Sequence, residues 1–223
     1  ALKNNWTMFV SNRRLTALDN ILTQIDQGLR TAFSSAPQPE RTSPADTLTD
    51  IDLNDKDRAR SIGLMRVNHT GEVCAQALYQ GQALTAQVPE VREQMKHSAA
   101  EEIDHLAWCE QRIKKLGGET SLLNPIWYAM SFGIGAGTGL ISDKLSLGFV
   151  AATEDQVSAH LSKHLSDLPK KDLLSRAIVE EMLVDEQRHA QAAREAGGYE
   201  FPSPVKKLMT LASSAMTLSS YHL

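Results

Sequence analysis

The sequence predicts an all-α fold built around four long helices. Apolar residues recur at the three- and four-residue spacing of helices, and no segment alternates as a β-strand does. Proline and glycine residues also fall at regular intervals between the helical stretches. A chain of 223 residues is long enough to bury a substantial core, so we expect these helices to pack together.

The first predicted element is an N-terminal amphipathic helix that ends near Phe33. Its apolar stripe consists of Leu15, Leu18, Leu22, Ile25 and Leu29. Residues 34–55 are rich in Pro, Ser, Thr and Asp, which is typical of a linker. We therefore divide the chain into residues 1–55, a helix with its linker, and residues 56–223, the helical bundle.

The four long helices are expected over residues 57–87, 90–116, 143–168 and 170–196. Pro89 separates the first pair and Pro169 the second pair, because proline interrupts helical hydrogen bonding. Glycine pairs at 117–118 and 197–198 end the second and fourth helices.

Residues 120–142 carry no charged side chain, and by length they could cross a bilayer. Asn124, Pro125 and four alternating glycines argue against a continuous span. We expect a crossover helix that is buried or lies in the membrane surface. The apolar stretch over residues 208–223 lacks Lys, Arg, Asp and Glu, so it is a second candidate for packing or lipid contact.

Composition and charge exclude several classes of protein. Apolar residues make up 42% and charged residues 22%, which is typical of globular rather than disordered chains. The net charge of −4, without a basic cluster, argues against a nucleic-acid partner. Cys74 and Cys109 form no CxxC motif, which argues against a disulfide framework or a thiolate zinc site. The first ten residues lack the apolar core of a signal peptide, so we expect a location on the cytoplasmic side.

Two of the seven histidines have a glutamate three positions earlier, in the pairs Glu102/His105 and Glu186/His189. Residues three apart share a helix face, so each pair could bind one cation or form an ordinary surface ion pair. Single glutamates precede the pairs: positions 72 and 102 are 30 apart, and positions 154 and 186 are 32 apart. The chain therefore contains two copies of one unit, a helix with one glutamate followed by a helix with an ExxH pair.

Helix geometry brings these acids to one level. The chain rises about 26 Å from Glu72 to Pro89 and returns about 20 Å to Glu102. The second unit gives about 22 and 26 Å on the two sides of Pro169. Two such hairpins packed together form a four-helix bundle with four carboxylates and two imidazoles at one depth. This arrangement is that of ferritin-like di-iron or di-manganese carboxylate proteins.

Charge favours a pair of divalent ions at this depth. Four buried carboxylates without cations would repel one another and raise their own pKa values, whereas two dications balance their charge. Oxygen ligands with imidazoles suit iron or manganese better than zinc, for which HExxH and thiolates are missing. The predicted metal ligands are Glu72, Glu102, His105, Glu154, Glu186 and His189. Spacing alone does not distinguish which glutamates bridge the two ions.

Acids beside the predicted ligands test this assignment. Glu101, Glu181 and Asp185 fall outside the i, i+3 register, so we expect them to face solvent. His160 lies about 120° around the helix from Glu154, which favours packing or a supporting contact. Tyr79 shares a face with Glu72 and is assigned to the core, with a place near the site as the alternative.

The ligand motifs resemble those of the demethoxyubiquinone hydroxylases, the ferritin-like di-iron monooxygenases of ubiquinone biosynthesis. The motifs are Arg66-Val-Asn-His-Thr-Gly-Glu72, Tyr79-Gln-Gly-Gln82, Glu102-Ile-Asp-His105, Ala152-Thr-Glu154 and Asp185-Glu-Gln-Arg-His189. The likeness extends over about residues 62–197 and suggests a bacterial member with an added N-terminal segment. The stretch Ser158-Ala-His-Leu161 departs from a His-Tyr pair of animal members.

This resemblance implies two iron ions on the six ligands, with Glu102 and Glu186 as the bridging pair. It also implies dioxygen as co-substrate, a reductant such as NADH or a reductase, and hydroxylation of a demethoxy polyprenyl benzoquinol ring. A substrate that lives in the bilayer implies a peripheral protein on the cytoplasmic face of the inner membrane, with partners from ubiquinone biosynthesis. Residues 120–142 would then dock on the membrane and form an apolar entrance.

Three other functions share some of these features. A di-iron hydroxylase of a tRNA isopentenyl group has the same bundle and ligands, but the net charge of −4 disfavours it. A ferritin-type iron-oxidising and storage protein forms a soluble shell, which the apolar segment fits poorly. A helical scaffold on the membrane surface would carry its acids by coincidence and would bind no iron.

Overall fold

The computed structural model describes residues 38–223 together with Asp26, Gly28, Arg30 and Thr31. The apolar stripe of the predicted N-terminal helix lies outside the described residues, so that helix stays a prediction. Within residues 38–223 the regular elements are helices, as the all-α class requires. The helices are α1 (Asp55–Thr85), α2 (Pro89–Lys115), α3 (Asn124–Ile141), α4 (Asp143–Asp167), α5 (Leu173–Glu195) and α6 (Ser203–His222).

The four predicted long helices are confirmed as α1, α2, α4 and α5, and they form two packed hairpins, α1/α2 and α4/α5. Pro89 is the first residue of α2, where its missing N–H costs no helical hydrogen bond. Asp143, the first residue of α4, accepts hydrogen bonds from the backbone N–H groups of Gln87 (3.0 Å) and Val88 (2.8 Å). A carboxylate from the second hairpin thereby supports the start of α2.

Both hairpins end in the same way. Gly117 and Gly197 adopt positive φ angles of 81° and 92°, a left-handed conformation that glycine enters without steric cost. The N–H of Gly118 then donates to Ile113 O (2.9 Å), and the N–H of Gly198 donates to Ala193 O (3.1 Å). These bonds satisfy carbonyls in the last helical turn, so the repeat seen in the spacing of the acids extends to the helix ends.

The crossover helix α3 packs closely along α1 because glycines, which have no side chain, lie where the two backbones meet. A Cβ at Gly81 would lie 2.4 Å from Phe132 O, and one at Gly135 would lie 2.2 Å from Leu78 O. A Cβ at Gly133 or Gly137, the alternate glycines, would meet no atom of the described residues within 4 Å beyond the nearby backbone of α3 itself. The close approach to α1 therefore requires glycine on one face of α3 only.

The helices α3 and α6 both pack on α1 and expose apolar side chains on their outer surfaces. We call these side chains the apolar face: Leu122, Ile126, Met130, Ile134, Leu140 and Ile141 at α3, and Leu208, Leu211 and Leu218 on α6. In residues 38–223, no helix combines the length and the hydropathy that crossing a bilayer requires.

Residues 38–54, in the predicted linker, form turns and pack against the bundle. Ala45 is buried in a core cluster that includes Leu64 and Trp108. Arg112, on α2, donates to Asp50 (2.9 Å) and to Asp172 at the start of α5 (2.8 Å). This part of the chain is therefore attached to both hairpins.

Candidate metal centre

The structure brings all six predicted ligands together in the centre of the bundle. Their donor atoms form two overlapping groups, and within each group the atoms lie within 4.8 Å of one another. The first group is Glu72, Glu102, His105 and Glu186, and the second is Glu102, Glu154, Glu186 and His189. Each hairpin contributes its single glutamate and its histidine to one group, while Glu102 and Glu186 belong to both. The levels that helix geometry predicted are therefore confirmed.

The two shared glutamates each direct one oxygen toward each histidine. Nδ1 of His105 lies 3.0 Å from Glu102 Oε2 and 3.2 Å from Glu186 Oε1. Nδ1 of His189 lies 3.2 Å from Glu102 Oε1 and 3.5 Å from Glu186 Oε2. Carboxylates placed in this way can bridge two cations that are bound side by side.

The donor atoms fit a pair of divalent cations. The six residues are at most 4% exposed. Among the described residues, both oxygens of Glu186, Oε1 of Glu102, Oε2 of Glu154 and Nδ1 of His189 lack a hydrogen-bond partner. Buried polar atoms of this kind are costly, and coordination to metal ions would satisfy them.

Tyr79 lies in the core and also contacts the centre, so both readings of its position apply. Its hydroxyl donates to Glu154 Oε1 at 2.6 Å, and its ring packs edge-on against that of His189, with the centroids 6.5 Å apart. This hydrogen bond occupies one oxygen of Glu154, and the other oxygen stays available to a cation. The shared helix face with Glu72 was the signal in the sequence.

The prediction that Asp185 and Glu101 face solvent is wrong. Asp185 is buried, and its Oδ2 accepts a hydrogen bond of 3.0 Å from Nε2 of His105. Glu101 is partly buried, and its Oε2 accepts one of 3.0 Å from Nε2 of His189. The i, i+3 register considers one helix only, whereas both acids reach a histidine of the neighbouring hairpin. Glu181 is exposed, as predicted.

A pattern in the sequence could have found these two acids. An acidic residue directly precedes each glutamate of the ExxH pairs, so both helices carry Asp/Glu-Glu-x-x-His. Arg188 joins the two acids, because its Nη2 donates to Glu101 Oε1 (2.9 Å) and to Asp185 Oδ1 (3.0 Å). When Nε2 of a histidine donates to an acid, Nδ1 keeps a lone pair for a metal.

Electrostatics agree with a site built for cations. Burial raises the pKa of Glu72 and of Glu154 well above the usual carboxyl range, and the neighbouring carboxylates add to this rise. Burial opposes protonation of His189, but the close carboxylates of Glu102 and Glu186 outweigh it and raise the pKa of His189 to about 11. Without metal, protons therefore balance part of the carboxylate charge, and metal ions would replace them.

His160 takes no part in either group of donor atoms. It is half-buried on α4, and its ring centroid lies 6.3 Å from that of His164. Nδ1 of His164 forms a 2.6 Å hydrogen bond with Asn68 Oδ1, which ties α4 to α1. The prediction of a packing or supporting position for His160 is confirmed.

The fold and the centre define a class of protein: a ferritin-like helical bundle with a candidate two-metal site of glutamates and histidines. Residues 59–220 match the model of the family described as "Ubiquinone biosynthesis protein COQ7", and the chain belongs to this family. The resemblance drawn from the motifs is thereby confirmed.

The chain is also similar over most of its length to curated bacterial proteins. It is 58% identical over 213 residues to the 3-demethoxyubiquinol 3-hydroxylase of Pseudomonas fluorescens (strain Pf0-1), covering 96% of this chain and 99% of that protein. The protein of the same name from Pseudomonas putida (strain GB-1) is 57% identical, with the same shares covered. That from Stutzerimonas stutzeri (strain A1501) is 58% identical, also over 96% of this chain and 99% of the relative.

Proposed function

We propose that this protein is a dioxygen-dependent monooxygenase that hydroxylates the ring of a demethoxyubiquinol. The observation that carries the proposal is the pair of overlapping donor groups, in which Glu102 and Glu186 are shared. Its membership of the family and its similarity to the named hydroxylases supply the substrate class.

The six residues of the centre would hold two iron ions. His105 and His189 would bind through Nδ1, Glu72 and Glu154 would each serve one ion, and Glu102 and Glu186 would bridge. Iron bound in this way supplies the binding and reduction of dioxygen, with electrons from a reductant such as NADH or a reductase. The carboxylates would balance the charge of the metals, so the loaded centre would be close to neutral.

Residues of this chain would orient the centre and exclude water from it. Asp185 and Glu101 hold the two imidazoles through hydrogen bonds from Nε2, the ring nitrogen that faces away from the shared glutamates. Tyr79 holds Glu154 through a hydrogen bond to one carboxylate oxygen. Along the helices, apolar core residues lie on both sides of the centre, with Met182 and Trp108 on one side and Met95 and Leu147 on the other. A dry site protects the substrate oxidation from side reactions with water.

The apolar face offers a way to reach a substrate that carries a polyprenyl tail. Both helices of this face pack on α1, the helix that carries Glu72 and Tyr79. We infer that the face lies in the membrane surface, as interfacial helices do, and that the protein works as a peripheral protein at the cytoplasmic face of the inner membrane. Other proteins of ubiquinone biosynthesis are its expected partners.

Profiling of quinones in a strain that lacks its own demethoxyubiquinol hydroxylase tests the reaction. The wild-type chain should convert the accumulated demethoxy precursor to ubiquinone, and Glu102→Gln should not. Glu180→Gln changes an exposed acid on the same helix as Glu186 and is the matched control, which should restore ubiquinone. Normal quinones with undermodified tRNA in the absence of this chain would instead support the tRNA hydroxylase.

Metal analysis separates the individual ligands. Purified protein that is reconstituted with ferrous iron without oxygen should bind two ions per chain. Glu72→Gln should weaken the binding of one ion, because Glu72 belongs to one donor group. Glu102→Gln should weaken the binding of both ions, because Glu102 belongs to both groups. A wild-type protein that binds no iron would overturn the enzyme proposal, and binding of many more ions per chain would support storage.

A further inference from the structure

A short segment that precedes the bundle reaches the outer side of the metal centre. The backbone N–H groups of Glu40 and Arg41 point to Asp104 Oδ1, at 2.7 and 3.4 Å, and Nε of Arg41 donates to Asp104 Oδ2 at 2.8 Å. Asp104 is buried on α2, directly before His105. We call residues 40–45 the strap, since Ser43 and Ala45 are buried as well.

The side chain of Arg41 extends from the strap to the acid that supports His105. Its Nη2 donates to Asp185 Oδ2 at 2.7 Å, the same oxygen that accepts the hydrogen bond from His105 Nε2. The guanidinium lies over the ring of Trp108, with Cζ 4.9 Å from the centroid. Trp108 in turn donates from Nε1 to Arg41 O at 3.4 Å. Arg41 is therefore held by its ion pairs, by stacking on Trp108 and by hydrogen bonds to its backbone.

The two histidines differ in where their support comes from. Glu101, the acid of His189, is paired with Arg188 from within the bundle. Asp185, which accepts the hydrogen bond from His105, is paired with Arg188 through Oδ1. Its Oδ2 is paired with Arg41, which lies outside the bundle. Without Arg41, the oxygen that faces His105 would lose its charged partner, and Asp185 could rotate away from the imidazole.

We propose that Arg41 is a positioning residue for the metal ion bound by His105, and that the strap controls how firmly this one ion is held. The inference rests on the proposed function, because it assumes that the centre binds a pair of metal ions. Arg41 fixes Asp185 Oδ2, Asp185 fixes the imidazole, and the imidazole keeps Nδ1 directed at the carboxylates. Partners that orient a ligating histidine commonly change metal affinity by about 10–100-fold.

Iron release from the loaded protein tests this arrangement. The full chain is loaded anaerobically with ferrous iron, and release to a ferrous chelator is followed by absorbance. In Arg41→Gln, we expect one of the two ions to leave about tenfold faster or more than in wild type, and the second to leave at the wild-type rate. Arg60→Gln removes an ion pair of 3.0 Å with Asp167, away from the centre, and is the control that should release both ions as wild type does.

Two further measurements keep the test decisive. Arg41→Lys keeps the charge but not the planar fork, so it should speed release of the same ion by a smaller factor, and it replaces Arg41→Gln if that variant fails to fold. The absorption spectrum of bound cobalt(II) should change in the Arg41 variants only. If an Arg41 variant lowers the melting temperature but leaves release and spectrum unchanged, Arg41 is a fold anchor and the inference is wrong. If wild type binds no metal, the proposed function fails instead.

Discussion

Nε2 of His105 on α2 donates a 3.0 Å hydrogen bond to Oδ2 of Asp185 on α5, so the two hairpins meet in one hydrogen-bonded pair beside the candidate metal centre. Glu101 on α2 does the same for His189 on α5. Each acid directly precedes a shared glutamate on its own helix and supports the histidine of the other hairpin. The two halves of the centre are therefore interdependent, and damage to one hairpin should affect both donor groups.

Loss of the Asp185 carboxylate should weaken the binding of iron. Asp185→Asn should lower the affinity for iron by about 10–100-fold, because a neutral amide holds the imidazole less firmly than a carboxylate does. Iron content after dialysis against a graded chelator measures this affinity. Asp155→Asn makes the same change at an exposed acid beside Glu154 and should leave iron content unchanged. Equal iron content in Asp185→Asn and wild type would remove Asp185 from the centre.

Removal of the Tyr79 hydroxyl should destabilise the protein. Tyr79→Phe leaves a buried oxygen of Glu154 without its donor, which costs about 1–3 kcal/mol in the free energy of unfolding. Chemical denaturation of the metal-free protein measures the cost, and iron content shows whether Glu154 is still positioned. Tyr128→Phe is the control, since the Tyr128 hydroxyl donates to the neutral amide of Gln80. A larger loss in the control would contradict the prediction.

The glycines of α3 should respond to alanine in opposite ways. Gly135→Ala places a methyl group 2.2 Å from a backbone oxygen of α1, and we expect a loss of about 1–3 kcal/mol or more in the free energy of unfolding. Gly133→Ala meets open space and should be neutral or stabilising by up to about 1 kcal/mol, since alanine favours the helix. Thermal unfolding of both variants distinguishes the two faces, and equal effects would argue against the close packing of α3 on α1.

Acid should weaken the bundle through the buried His164. Burial lowers the pKa of His164 to about 4, so the folded protein binds this proton less readily than the unfolded chain, whose histidine pKa is about 6.5. The free energy of unfolding is therefore not reduced by this histidine above pH 6.5. It falls by up to about 3 kcal/mol as the pH drops from 6.5 toward 4. His164→Gln should flatten the dependence of the urea midpoint on pH in this window. An unchanged slope would contradict this account.

The apolar face should decide membrane binding. Replacement of Ile134 and Leu140 by Asp puts charges into the surface that we place in the lipid, so the protein should leave liposomes in a flotation assay. Leu173→Asp changes an exposed apolar residue at the start of α5, outside the apolar face, and should float as wild type does. If the double variant floats equally well, another part of the chain binds the membrane.

Much of the fold could be predicted because its determinants are local. Pro89 and the glycine pairs set the helix ends, and the fixed rise of a helix brought Glu72, Glu102, Glu154 and Glu186 to one level. Asp185 and Glu101 were misplaced because their partners lie on another hairpin. Arg41 could not be found from the sequence, since 64 positions separate it from His105 and no periodicity connects the two residues.

The sequence by itself determined the helices, the repeat of the two units and the six residues that meet in the core, because helical periodicity and spacing act within each hairpin. Only the tertiary structure decided which oxygen faces which histidine, which acid supports each imidazole, and which face of α3 stays open. Those relationships depend on the relative rotation of packed helices, which side-chain packing sets and which no single helix encodes.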